Sequence, residues 1–119
     1  MSKPAKTLLV FGIYLVFTGL GFLVIPNPLL SLFGFDTTTE PWIRVVGFLA
    51  LVIAFYYIQA ARQEVRPVFH WSLYCRPAGF VVFAGLVVLG LAKPMLILFG
   101  VIDLLGALWT GLALRSSQA

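Results

Sequence analysis

Apolar residues fill this chain in long runs instead of the three-four or every-second spacing of a half-buried soluble element. The first run, Thr7 to Ile25, stops at Pro26-Asn27-Pro28. At 1.5 Å per residue its length of about 19 residues matches a hydrocarbon layer of roughly 30 Å. The second, Pro41 to Ala61, has Trp42 near its start and Tyr56-Tyr57 toward its end, where aromatic belts form at the two headgroup zones. The stretch from Gly85 to Arg115 is too long for one crossing, so it crosses, turns at Lys93-Pro94 and crosses back. Pro77 to Ala92 spans only roughly 24 Å of helix, so the third crossing is expected to begin upstream, near Pro67 or Val68, and to bend at Pro77. The pattern predicts an all-α, integral membrane four-helix transmembrane bundle, one domain over 1–119, with spans near 7–25, 41–61, 68–92 and 94–114. The apolar piece 29–35 is too short to cross and reads as an interfacial helix.

Composition supports the class: 61% of the 119 residues are hydrophobic and only 10% charged, outside the range of soluble domains. A net charge of +4 invites a nucleic-acid reading, but the bases punctuate the apolar runs and do not gather on one face, which excludes that partner. Lys3, Lys6, Arg62, Arg66, Arg76 and Arg115 fall in the amino terminus, the middle connection and the tail. The other two connections hold Asp36, Glu40 and Lys93. The positive-inside rule then places both termini in the cytoplasm of a cell with an inner membrane. The first run ends without a small-residue cleavage motif and reads as an uncleaved span.

The sequence also echoes itself. Phe17–Gly34 aligns without gaps on Phe83–Gly100, matching Phe17/Phe83, Gly19/Gly85, Pro28/Pro94 and Gly34/Gly100 among others. Lys3-Pro4-Ala5 and Arg76-Pro77-Ala78 open the two units. A two-span unit repeated in tandem has parallel copies related by an axis along the membrane normal.

Candidate chemistry is sparse. Asp103 lies deep in the fourth span, where an acid costs roughly 2.5 to 3.5 kcal/mol by insertion scales, so it is expected to face protein or water. Gly100, Gly106, Ala107 and Thr110 share its face and admit a close partner helix. Tyr14 and Thr18, four apart, are the polar groups of the first span. Arg44 lies one turn inside the second span. It reads either as a surface cation, snorkelling or paired with Glu40, or as an ion-pair partner of Asp103 across a depth difference of roughly 9 Å. The candidate intramembrane polar site is therefore Asp103, Arg44, Tyr14, Thr18 and Thr110. The lone Cys75 and the lone His70 lack the companions that a metal or haem needs, so no cofactor is expected.

The four-span plan with glycine-rich helices resembles the small bacterial DoxX-like membrane proteins. The likeness covers topology and carries over no residues. The small multidrug transporters keep a glutamate in the middle of the first span, where this chain has Tyr14 and Thr18. The leading functional reading is a non-catalytic inner-membrane protein, an accessory or lipid-binding module with membrane lipids as partners, associating with copies of itself or with a partner membrane protein. The second is a proton- or ion-coupled transporter or channel using Asp103, and the third a membrane enzyme or redox subunit.

Overall fold

A computed structural model describes residues 1–118 as five helices. These are α1 (Lys3–Val24), α2 (Pro26–Leu32), α3 (Trp42–Arg62), α4 (Arg66–Val88) and α5 (Leu96–Gln118). All but α2 are long and apolar enough to cross a membrane. Their outward faces carry large apolar side chains that a water-soluble protein would bury, among them Phe17 at 71% and Val88 at 83% exposure. Only the last residue of the predicted domain lies outside the described residues.

The element boundaries follow local chemistry. Ser2 caps α1, its hydroxyl accepting from the Ala5 amide at 3.3 Å, and Pro4 occupies the first turn, where a missing N–H costs nothing. The helix therefore starts four residues earlier than the apolar run. Pro26 and Pro28, read from sequence as stop signals alone, also open α2. The short helix thus occupies 26–32 and not 29–35. It is also more than a surface element, because Leu30 is buried with Phe22 and Ile43 across the ends of α1 and α3. Three helices end on a left-handed residue closed by the paired bonds of a Schellman turn. Gly34 and Gly90 supply it after α2 and α4, with Phe35 N–H on the Leu30 carbonyl and Leu91 N–H on the Leu86 carbonyl. The stop at Gly90 ends α4 at Val88, short of the expected 92, and the turn through Lys93-Pro94 delays α5 to Leu96. After α3 the left-handed residue is Glu64, with φ 54°. The third crossing does begin upstream of Pro77, at Arg66, and it continues helically through that proline.

The bundle is assembled from two closely packed pairs, α1 with α3 and α4 with α5, joined mainly where α1 meets α5. At the α1/α3 crossing, a methyl group added to Gly47 would lie 2.6 Å from the Leu23 nitrogen and 2.7 Å from the Gly19 carbonyl oxygen, so only glycine fits. At the end carrying Ser2 and Arg62, Ala5, Leu8, Ala60, Ala61, Phe69 and Leu114 form a continuous apolar core. At the opposite end α3 stands away from α5 and touches α4 little, which leaves a gap between the pairs.

Candidate functional site

The gap is a cavity of about 520 Å³, within the range of small-molecule sites. One wall is the α1/α3 pair, through Tyr14, Leu15, Thr18 and Phe22 and through Trp42, Ile43, Val46 and Ala50. The other is the α4/α5 pair, through Phe83, Leu86, Leu96, Phe99 and Asp103. Leu30 of α2 and Phe35 of the following loop complete it. Phe33 and Phe35 pack their rings on Phe99 at centroid distances of 5.3 and 6.2 Å, tying that loop to the start of α5. A Lys93–Asp36 pair at 3.8 Å spans the same two segments, but both side chains are exposed and add little.

Among the described residues Asp103 is the only charged side chain on the cavity wall. It is half-buried, seven residues into α5, and it reaches across to α4, where its Oδ2 lies 3.2 Å from the point a methyl group on Gly79 would occupy. Among the described residues no donor hydrogen-bonds its carboxylate and no cation closes a contact ion pair with it. Tyr14 and Thr18 share the cavity with it, as the sequence suggested. The Thr18 hydroxyl donates to the Tyr14 carbonyl at 3.0 Å within α1.

The other two predicted members lie elsewhere. Arg44 is exposed and donates through Nη1 to the Leu23 carbonyl, one of the acceptors left open at the end of α1, so it pairs with neither Asp103 nor Glu40. Thr110 is fully buried two turns from Asp103, in a polar cluster absent from the sequence expectation, because its centre, Arg76, reads there as a base of the middle connection. Arg76 is only 4% exposed and sits ten residues into α4, roughly 15 Å from its start. Its Nη2 donates to Thr110 Oγ1 at 2.8 Å and to Ser72 Oγ at 3.1 Å, and its Nε to the Ser72 carbonyl at 3.4 Å. The guanidinium carbon lies 4.9 Å from the centre of the Phe11 ring, a cation–π contact. Thr7 donates to the Pro4 carbonyl at 2.7 Å, which uses its single proton, so Thr110 must be the donor in the 2.7 Å Thr7–Thr110 bond. Proton donation therefore runs one way, from Arg76 through Thr110 and Thr7 to a backbone carbonyl. Nη1 of Arg76 is buried and unpartnered, 3.1 Å from where a Gly106 methyl would be.

Two signals in the sequence pointed to this cluster: Ser72 at i−4 from Arg76, and a third crossing that must start near 67 and so carries Arg76 well inside. In structural position Arg76-Pro77 also differs from Lys3-Pro4, which lies in the first turn of α1. Among the described residues no three His, Cys, Asp or Glu side chains gather into a metal-binding set. No family model, curated protein or solved structure matches the chain.

Proposed function

We propose that this protein is a non-catalytic binding module of a bacterial inner membrane that holds an apolar small molecule or lipid in the cavity between its two helix pairs. The carrying observation is the cavity itself: aliphatic and aromatic side chains from every helix, with polar groups confined to Asp103, Tyr14 and Thr18 beside an indole. Such a space is favourable to an apolar chain, and unfavourable to hydrated ions, for which a wall this poor in polar groups offers few substitutes for water. Lys3, Lys6, Arg62, Arg66 and Arg115 cluster at the end bearing both termini, which favours a cytoplasmic location for that end; Arg76, buried in the bundle, drops out of the count. The chain also supports a doubled plan, because each half of the sequence contributes one tightly packed helix pair.

Native mass spectrometry of protein extracted in a mild detergent tests the binding reading. Wild type is expected to carry a lipid-mass adduct, and Ala50→Trp, which fills the cavity from α3, to lose it while keeping its helical circular dichroism. Adduct-free wild type, or an adduct that survives the filling substitution, would refute the reading.

A further inference from the structure

The head group that the cavity accepts follows from where the two intramembrane charges lie. In the antiparallel α4/α5 pair Asp103 lies beside Gly79 and the Arg76 guanidinium beside Gly106. Each glycine is three residues from the charged residue of its own helix, so the charges are offset by about one helical turn, roughly 5 Å along the axis. Only the acid lines the cavity. Arg76 is held beneath it by Ser72, Thr110 and Phe11 and is closed off from that space. A cation would give up its hydration shell for a wall with one carboxylate, whose attraction the guanidinium one turn below partly offsets, and an anion would be repelled by the carboxylate directly. A neutral group that donates one hydrogen bond meets an acceptor that no protein donor occupies.

We propose that the cavity selects a neutral amphiphile headed by a hydroxyl, a long-chain or polyprenyl alcohol, whose O–H donates to Asp103 while its tail lies among Phe22, Val46, Phe83 and Leu86. This rests on the binding reading above and adds the class of ligand to it. Arg76 is a positioning residue that balances the acid; it does not touch the ligand.

Four probes with one tail separate the possibilities: farnesol, its methyl ether, farnesylamine and farnesoic acid. Binding is read from Trp42, which lines the cavity, in a Trp71→Phe/Trp109→Phe background reconstituted in neutral lipid nanodiscs. Farnesol is expected to bind at least about tenfold tighter than the ether, the worth of one hydrogen bond to a charged group, with amine and acid both weaker than the alcohol. Asp103→Asn should shift the preference toward the acid and Arg76→Met toward the amine, opposite changes that general loss of folding cannot produce. Equal binding of alcohol and ether, tightest binding of the amine to the wild-type pair, or an order that neither substitution moves would overturn the proposal and leave the cavity as a plain apolar site. Failure of all four probes to bind would overturn the binding reading as well.

Discussion

Gly19 and Gly47 in one helix pair serve a different purpose from Gly79 and Gly106 in the other. Between α1 and α3, Gly19 and Gly47 let one backbone approach another, with Gly19 meeting the Gly47 carbonyl and Gly47 meeting the Leu23 amide nitrogen. Between α4 and α5, Gly79 and Gly106 let backbone approach side chain, one making room for Asp103 and the other for Arg76 and Phe11. Bringing backbones together gives dispersion contact over a long surface, which is what holds helices together where lipid removes the hydrophobic driving force. Space left for charged side chains gives up some of that contact to house groups that are costly in the bilayer. The first pair reads as the rigid wall of the cavity and the second as the wall that carries its charge.

The contrast is broken most severely at Gly47. Gly47→Leu should destabilise the bundle by about 3 kcal/mol, since backbone atoms of α1 cannot yield as side chains can. Gly85→Ala, with nothing within 4 Å, should be neutral or raise stability by a few tenths up to ~1 kcal/mol. Denaturant titration followed by circular dichroism compares them, and similar losses would abolish the distinction.

In the second pair, Thr110→Val removes an acceptor from Arg76 and the donor to Thr7, for an expected loss of about 1–3 kcal/mol. Arg76→Met removes the buried charge together with its orphaned Nη1 and should cost less. Combining the two should leave Thr110→Val with a smaller penalty than it has alone, and a double-mutant cycle measures the coupling. Full additivity would mean that the two side chains act independently.

A small, pH-dependent effect is expected where the termini end of α1 is tied to the α3–α4 connection. Glu64 accepts from the Ser2 hydroxyl at 2.9 Å and from the Ser2 amide at 2.8 Å, and these bonds hold its carboxyl below the usual range. Because the folded value is depressed, the stabilisation is present above the ordinary glutamate value of about 4.3 and is lost as pH falls through the lowered one. Glu64→Gln should therefore be slightly less stable than wild type at pH 7, with a narrower gap near pH 3. An equal gap at both would assign the clasp no role. The residue that makes these bonds is also the left-handed, non-glycine position of this turn.

Much of this was readable from the chain before the fold was known. Four crossings follow from run length alone, and helical spacing and depth place Asp103, Tyr14 and Thr18 on inward faces. Arg76 escaped because the residue before a proline is biased away from helix, so Arg76-Pro77 resembles a boundary at the membrane surface. The tertiary contacts of Ser72, Thr110 and Phe11 override that local bias, and they depend on a register between α4 and α5 that no single run reveals. Spacing places Thr110 on the acid's face, yet two turns of separation bring it to the guanidinium instead. Arg44 found a nearer acceptor than Asp103 in the open carbonyl at the end of α1, a partner set by how α1 and α3 cross.

The most direct test of the central claim is an experimental density map of the protein extracted in its native lipid. The expected result is elongated density between α3 and α4 ending at the Asp103 carboxylate, with Arg76 one turn below and out of contact with it. Helices α3 and α4 closed against each other, or Asp103 turned outward to the acyl chains, would contradict it.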